Sequence, residues 1–197
     1  MGDLGRLSKD ALKQNLKASF QFCIQLSFHF ISIYFNYMGT LEVLEPRGLR
    51  NNNPLNIRHG QSRWQGTHPE KKDKEFVCYM TKAYGYRAAW KILQTYYETF
   101  TKTGKPFNLY NIIHRWAPPE DNNETARYLH TVLKYTHLAG MQRLPEPRSD
   151  EGFMALQPVL IAMTCVENGI KPEEVPVSAI LQGYQLAFTK VLLNIKH

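Results

Sequence analysis

The sequence has 197 residues, of which 43% are hydrophobic and 12% aromatic, and its formal net charge at pH 7 is +7. A chain of this size and composition can bury a core, which excludes a disordered or collagen-like protein and favours a single domain. The three cysteines, Cys23, Cys78 and Cys165, show no paired spacing, so the sequence predicts neither a disulfide framework nor a zinc site built from cysteines.

Positive charge is concentrated in the middle of the chain. Residues 46–145 contain 16 Lys or Arg and 7 Asp or Glu, a net charge of +9, whereas residues 146–197 contain 4 and 6, a net charge of −2. Clustered positive charge raises the affinity for a polyanion, such as bacterial cell wall or nucleic acid. A basic surface that serves only solubility is the alternative interpretation.

The first 45 residues differ from the rest and are interpreted as an N-terminal extension. Residues 18–37 carry no charge and follow basic residues, as in a signal peptide or membrane anchor, although polar side chains interrupt them and no small-residue cleavage site follows. Apolar residues also alternate from Phe20 to Phe30, which is typical of a half-buried strand. A third interpretation is a natural start at Met38, with the preceding residues spurious.

The domain proper is predicted from residue 46 to residue 197. It opens with Arg-Gly-Leu-Arg-Asn-Asn-Asn-Pro-Leu-Asn-Ile-Arg at residues 47–58. This segment predicts a structured loop, because Asn side chains compete for backbone hydrogen bonds and the residue before Pro54 avoids the helical region. A small β-hairpin region with short strands is then expected, at residues 57–58, 64–66 and 75–80.

The remainder of the chain is predicted to be helical, which makes the fold class mainly α. Apolar residues at helical spacing, bounded by glycine and proline, indicate helices at about 81–103 and 109–116, a third running through Tyr128 to Tyr135, and a C-terminal pair at about 151–168 and 176–193. Asp121 and Glu124 have the spacing of a capping box for the third of these helices. Pro158 lies inside the fourth and predicts a late start or a kink.

Several motifs together resemble those of a known family. They are the Asn-rich motif of residues 47–58, Trp64-Gln-Gly66, Asp73, Phe76, Gly85-Tyr-Arg-Ala88, and Arg115-Trp-Ala-Pro-Pro119 followed by Asn123, Thr125 and Tyr128. This pattern, over about residues 46–190, resembles the small phage and prophage proteins called virion structural proteins, which are in turn similar to lysozyme-like peptidoglycan-cleaving domains. The resemblance implies a lysozyme-like helical fold, with peptidoglycan glycan strands and other virion proteins as partners.

A looser similarity to flagellar-type muramidases implies a catalytic glutamate at the end of a helix just before the Asn-rich loop. In that place the chain has Glu42 and Glu45. Cleavage of a glycosidic bond needs a carboxylic acid that burial keeps protonated. Glu45 is therefore the first catalytic candidate, and Glu120, next to Trp116, is the second. Burial of Glu45 in a cleft with Trp64 would indicate a muramidase or lytic transglycosylase, whereas an exposed Glu45 would favour a non-catalytic virion protein.

The residues expected to bind sugar surround the same loop. Amide groups bind sugar hydroxyl and N-acetyl groups, and tryptophan rings stack on sugar rings. The candidate set is Asn51, Asn52, Asn53, Asn56, Arg58, Trp64 and Trp116. Asn side chains that bridge backbone groups in tight turns would explain the three consecutive asparagines equally well.

Other chemistries find little support. His130 and His137 could share a helix face but lack further ligands, so no metal site is predicted, and without a phosphate-binding loop or a Ser-His-Asp pattern no cofactor is expected. A basic nucleic-acid-binding module is the least favoured alternative, and membrane contact would come only through residues 18–37. Localisation stays open: the cell envelope or virion is favoured, or the cytoplasm before phage release if residues 1–37 are spurious.

Overall fold

The computed structural model describes residues 45–70 and 73–189, together with the isolated Gln25. These two ranges belong to one compact unit, Glu45–His197. The interpretations of residues 1–44 as a signal, an anchor, a strand or a spurious extension lie outside the described residues.

The described part of the chain is mainly helical, which confirms the mainly α class; the lysozyme-like fold stays a prediction. Its six α-helices are α1 (Arg47–Arg50), α2 (Lys82–Lys102), α3 (Leu109–Trp116), α4 (Thr125–Thr136), α5 (Asp150–Asn168) and α6 (Val177–Phe188). Short 3-10 turns precede α4 and α6, at Pro119–Asp121 and Pro172–Glu174. None of the helices in these ranges combines the length and the apolarity needed to cross a bilayer.

The predicted β-hairpin region is not confirmed. It is reduced to two isolated antiparallel bridges, Arg58 with Phe76 and Thr67 with Tyr79. The physical reason lies in the asparagines, whose side chains take backbone oxygens that a strand ladder would use. Asn53 Nδ2 donates to the Val77 oxygen at 2.8 Å, and Asn52 Nδ2 donates to the Tyr79 oxygen at 3.1 Å.

The structure differs from the local predictions at four points. Residues 47–50, predicted as part of the loop, form the short helix α1. Asp121 ends a 3-10 turn and caps no helix, because α4 begins only at Thr125, without any side-chain cap. Of the two outcomes predicted for Pro158, the late start is not observed, because α5 begins at Asp150, where Ser149 Oγ accepts a hydrogen bond from Gly152 N at 3.0 Å. The helix α6 ends at Phe188 instead of residue 193, because the next residue is extended.

The core forms where α2 packs against α6 and where α5 passes beneath α4. Trp90 of α2 is fully buried, and its Nε1 donates to the Ile180 oxygen of α6 at 3.2 Å. At Gly183 the two helices approach so closely that a Cβ atom would lie 2.7 Å from Tyr86 Cβ. The apolar residues of α5 pack in the same core, and the C-terminal end of this helix contacts the Asn-rich loop. There Asn168 Nδ2 donates to the Pro54 oxygen at 2.8 Å.

The close approach of α2 and α6 gives a stability prediction. We expect Gly183→Ala to lower the free energy of unfolding by about 1–2 kcal/mol, because overpacking against the α2 backbone outweighs the gain of roughly 1 kcal/mol in helix propensity. Urea unfolding at pH 7 measures this change. Gly60→Ala is the control, since a Cβ there meets nothing within 4 Å. A Gly183→Ala variant as stable as the wild type would contradict the close packing.

Candidate functional site

The Asn-rich loop is built by its own side chains. Asn52 and Asn56 have φ angles of 52° and 47°, in the left-handed region that asparagine tolerates better than most residues. Asn53 is fully buried; its Nδ2 donates to the Ile57 and Val77 oxygens at 2.8 Å, and its Oδ1 accepts from Ile57 N at 2.9 Å. The amides of Asn52 and Asn53 are therefore engaged with the backbone, as the turn-bridging interpretation predicted.

A carboxylate clamp ties α1 and this loop to the segment that follows. Asp73, with a side chain only 8% exposed, accepts from Arg47 Nε at 2.7 Å and from Asn51 Nδ2 at 2.8 Å. Its Oδ1 also accepts from the backbone nitrogens of Glu75 and Phe76, at 2.9 and 3.0 Å. The Arg47 guanidinium, with these further donors, holds the pKa of Asp73 well below its usual range.

Glu167 lies in the last turn of α5, where this helix meets the loop. Its Oε1 accepts hydrogen bonds from Trp116 Nε1 at 3.2 Å and from the Tyr128 hydroxyl at 3.0 Å. Its Oε2 accepts from Asn56 Nδ2 at 3.0 Å, and the same nitrogen donates to the Glu167 backbone oxygen at 3.1 Å. The carboxyl group is therefore held by side chains from the end of α3, from α4 and from the Asn-rich loop.

Local structure explains how these side chains converge. Trp116 is the last residue of α3, and its ring packs edge-on against Tyr96 of α2, with the ring centroids 6.5 Å apart. Tyr128 faces inward from the second turn of α4 and is only 6% exposed. The left-handed φ of Gly169 ends α5 directly after Glu167 and Asn168. As a result, Glu167 lies in the last turn of α5, and the helix does not continue past Asn168.

The surroundings of Glu167 change its acidity. Burial raises the pKa of its carboxyl, and the hydrogen bonds from Asn56, Tyr128 and Trp116, with the positive charge of Arg58, only partly offset this rise. Burial and the neighbouring Glu167 charge raise the pKa of Tyr128 well above its usual value. Tyr128 therefore remains a hydrogen-bond donor at neutral pH, and the Glu167 proton is retained to higher pH than in an ordinary glutamate.

Two cavities meet at Glu167. Three residues line both of them: Ala117, Asn123 and Glu167. The smaller cavity, about 430 Å³, is otherwise bounded by the Asn-rich loop, α2 and Trp116, and its lining includes Arg58, Phe76, Tyr96 and Asp121. The larger, about 700 Å³, lies between α4 and the end of α5, and its lining includes Arg127, Tyr128, Tyr135 and Lys171. The partly exposed Glu167 is therefore reachable from a groove that extends to both sides of it.

The two carboxylates predicted to be catalytic lie elsewhere. The side chain of Glu45 is 48% exposed, pairs with Lys82 Nζ at 2.9 Å and lines neither of the two cavities. Glu120 is exposed in the 3-10 turn Pro119–Asp121. Neither carboxylate is therefore buried enough for burial to keep it protonated.

The predicted sugar-binding residues are divided among three places. Asn56, Arg58 and Trp116 lie in the smaller cavity beside Glu167. Trp64 lines a different cavity of about 550 Å³, together with His59, Arg63 and His68. The side chains of Asn51, Asn52 and Asn53 are engaged in the contacts of the loop and of Asp73, described above.

Glu167 and its donor Tyr128 are the functional candidates that the sequence did not reveal. The similarity to muramidases implies a catalytic glutamate just before the Asn-rich loop, whereas Glu167 comes 111 positions after Asn56. A usable signal was present, because Asn168-Gly169 marks a helix stop and Glu167 directly precedes it. Within residues 45–70 and 73–189, no group of three His, Cys, Asp or Glu side chains is placed to hold a metal ion.

No family model matches the chain. The chain is similar to protein P5 of Pseudoalteromonas phage PM2, with 40% identity over 129 residues that cover 64% of this chain and 73% of that protein.

Proposed function

The chain belongs to the family of phage proteins that includes protein P5 of Pseudoalteromonas phage PM2. We propose that it binds bacterial peptidoglycan and cleaves its β-1,4 glycan linkages. The observation that carries this proposal is the Glu167 carboxyl, placed between two cavities and held there by three hydrogen-bond donors. Glu167 is the general acid in this proposal, and Asn56, Arg58 and Trp116 are the residues beside it that contact the glycan.

A glycosidic bond breaks efficiently only when its leaving oxygen receives a proton as the bond lengthens. The acid must keep its proton near neutral pH, and burial beside aromatic rings is the usual means of raising a glutamate pKa for this purpose. The pKa of Glu167 is raised in this direction, because burial is the dominant influence on it. Once the proton has left, the donors from Asn56, Trp116 and Tyr128 stabilise the carboxylate.

The hydrogen bonds also indicate which oxygen carries the proton. Oε1 already accepts from two donors, Trp116 Nε1 and the Tyr128 hydroxyl, whereas Oε2 accepts only from Asn56. When the carboxyl is protonated, Oε2 is the oxygen with room for the proton. It passes to the leaving glycosidic oxygen, which also keeps the electron pair of the broken carbon–oxygen bond. Water or the sugar's own C6 hydroxyl then bonds to the anomeric carbon and gives up a proton, which the Glu167 carboxylate accepts, so that the acid is restored.

The carboxylates in the described part of the chain are compatible with attack by water and with attack by the C6 hydroxyl of the sugar. Asp121 lines the smaller cavity together with Glu167 but is exposed in the 3-10 turn. Retaining and inverting glycosidases both use a second carboxylate, whereas attack by the sugar's own hydroxyl proceeds with the acid alone. The product ends distinguish these routes, because hydrolysis gives a reducing end and internal attack gives an anhydro end.

A non-catalytic virion protein that binds glycan or other virion proteins is the second candidate. The exposure of Glu45 favours it, because a buried Glu45 in a cleft with Trp64 was the expected mark of the enzyme. This candidate predicts binding to sacculi without release of soluble fragments.

Digestion of purified sacculi by the full chain tests the proposal. Wild type, Glu167→Gln and Glu45→Gln are compared by the release of soluble muropeptides and by the chemistry of their new ends. We expect release by wild type and by Glu45→Gln but not by Glu167→Gln. Loss of release in Glu45→Gln alone would return the acid to Glu45 and reject Glu167. Binding of sacculi by a folded wild type that releases nothing would favour the non-catalytic candidate.

The hydrogen bond from Tyr128 gives a prediction about pH dependence. Tyr128→Phe removes a donor that lowers the pKa of Glu167, so the alkaline limb of the kcat/KM profile should move to higher pH. The maximal rate should fall up to about 10-fold, because the carboxylate formed in the transition state loses one hydrogen bond. Tyr135→Phe in the larger cavity is the control. An alkaline limb that stays in place would show that Tyr128 does not act through Glu167.

A further inference from the structure

Arg58 is a charged side chain in the proposed glycan groove that has no partner in the described part of the chain. It is exposed and lines the smaller cavity together with Glu167. No ion pair or side-chain hydrogen bond engages its guanidinium within residues 45–70 and 73–189. Asp121 lines the same cavity but forms no ion pair with it. A cation is therefore presented to whatever enters the smaller cavity.

The backbone beneath Arg58 is fixed on both sides. Arg58 pairs with Phe76 in one of the two isolated bridges, and the neighbouring bonds are Val77 N to the Ile57 oxygen at 2.9 Å and His59 N to the Glu75 oxygen at 3.0 Å. The guanidinium carbon lies 5.2 Å from the centroid of the Phe76 ring, which is a cation–π distance. These contacts keep the charge at the cavity wall.

A second arginine shows that the Arg58 charge is the one available to a ligand. Arg47 also lies against Phe76, with its guanidinium carbon 4.6 Å from the ring centroid. Its charge, however, is paired with Asp73 at 2.7 Å and with Glu75 at 2.8 Å. Of the two cations on this ring, only Arg58 is left to bind an anion.

Resting on the proposed function, we infer that Arg58 binds a carboxylate carried by the muramic acid residue of the glycan and thereby selects peptidoglycan over uncharged N-acetylglucosamine polymers. Muramic acid differs from N-acetylglucosamine by a lactyl group, whose carboxyl is either free or joined to a stem peptide with its own carboxylates. The planar guanidinium matches a carboxylate through two parallel hydrogen bonds. The aromatic rings of Phe76, Tyr96 and Trp116 in the same cavity offer faces for sugar rings.

The position of Arg58 is consistent with this role. Its positive charge lowers the pKa of Glu167, which opposes the retention of a proton by the acid. A bound carboxylate neutralises that charge and removes the opposition, so Glu167 keeps its proton to higher pH when such a substrate is present.

The test compares the full-length wild type with Arg58→Gln, Arg58→Lys and Arg143→Gln, the last being an exposed arginine outside these cavities. The substrates are glycan chains with stem peptides, chains stripped of peptides by an amidase, stripped chains whose lactyl carboxyls have been amidated, and chitin oligosaccharides. We expect Arg58→Gln to lower kcat/KM about 10- to 100-fold more on chains that carry the recognised carboxylate than on the uncharged substrates. Arg58→Lys should recover part of this loss, and Arg143→Gln should behave as the wild type.

The substrates also identify the carboxylate. A loss on peptide-bearing chains alone would assign it to the stem peptide, and a loss on stripped chains would assign it to the lactyl group. An equal loss on charged and uncharged substrates, or no loss on either, would overturn the inference while the proposed function stood.

Binding supplies a readout that does not depend on cleavage. Soluble muropeptides are titrated into the same variants, and the dissociation constant is followed by tryptophan fluorescence, since Trp116 lines the cavity. Arg58→Gln should raise the dissociation constant about 10- to 100-fold. Arg58-dependent binding without any cleavage would reject the proposed catalysis and keep the inference. Binding that is unchanged in Arg58→Gln, or absent from the wild type, would reject the inference.

Discussion

Glu167→Gln is expected to lower the rate of glycan cleavage about 10³-fold, the middle of the range for removal of a general acid. This corresponds to about 4 kcal/mol of transition-state stabilisation. Glutamine has nearly the same shape as glutamate, and its side-chain oxygen can accept the hydrogen bonds that Trp116 and Tyr128 now donate to Oε1. The glutamine nitrogen in place of Oε2 cannot accept from Asn56 Nδ2, which keeps its bond to the backbone oxygen of residue 167. The variant should therefore fold, and it should lose this one hydrogen bond and the transferable proton.

A stability measurement separates this catalytic role from a structural one. The folded-state pKa of Glu167 is raised, so the folded protein binds more protons than the unfolded chain between the unfolded and folded pKa values. In this window the contribution of Glu167 to stability falls as the pH rises, whereas the uncharged glutamine of the variant has no such dependence. We therefore expect the free energy of unfolding of the variant, minus that of the wild type, to increase from pH 4 to pH 8.

Urea unfolding at several pH values, alongside the cleavage assay, checks both parts of this prediction. Glu120→Gln and Glu45→Gln are matched controls, because each removes an exposed carboxylate of the same size. Both should keep the wild-type rate and show no comparable pH trend in stability. Cleavage by Glu167→Gln at the wild-type rate would show that another group is the acid. A difference in stability that decreases with pH would contradict the burial of the charged carboxyl.

Asp73→Asn is expected to give the largest loss of stability among the substitutions considered, about 2–3 kcal/mol at pH 7. The substitution removes the charge that Arg47 binds at 2.7 Å and turns one acceptor oxygen into a donor that faces other donors. Because Asp73 joins α1, Asn51 and residues 75–76, its loss should loosen the loop that presents Asn56 to Glu167. A fall in glycan affinity should accompany the loss of stability.

The contribution of Asp73 to stability depends on pH with the opposite sign to that of Glu167. The pKa of Asp73 is lowered in the folded protein, so its stabilising contribution is present above the unfolded value of about 3.9 and is lost as the pH falls below it. The wild type should therefore lose stability steeply below about pH 4, and Asp73→Asn should show a shallower loss. Urea midpoints between pH 3 and pH 7 measure this, with Glu151→Gln as an exposed control. Parallel pH curves for wild type and Asp73→Asn would contradict the clamp.

The helices were predictable because their signals are local. Gly104 and Pro106 stop α2, Pro118 follows α3, and Asn168-Gly169 ends α5; each acts through backbone geometry within a few residues. The strands were not predictable in the same way. Whether residues 75–80 form a ladder depended on asparagine side chains more than 20 positions earlier, which take the backbone oxygens of Val77 and Tyr79.

The candidate site shows the same division. Residue type and motif predicted that Asn56, Arg58 and Trp116 bind sugar. These three residues do lie together beside one cavity. The choice among carboxylates could not be made in this way. Glu45 and Glu120 are near these motifs in sequence but exposed, whereas Glu167 is distant in sequence and partly buried.

The sequence by itself determined that most of the described chain is helical, where α2, α3 and α5 end, and that residues 51–56 form a loop. Only the tertiary structure decided that this glutamate meets Asn56, Trp116 and Tyr128 between two cavities. The physical reason is that helix boundaries follow from backbone preferences of neighbouring residues. The acidity of a carboxyl follows from desolvation and hydrogen bonding by groups that only folding brings together.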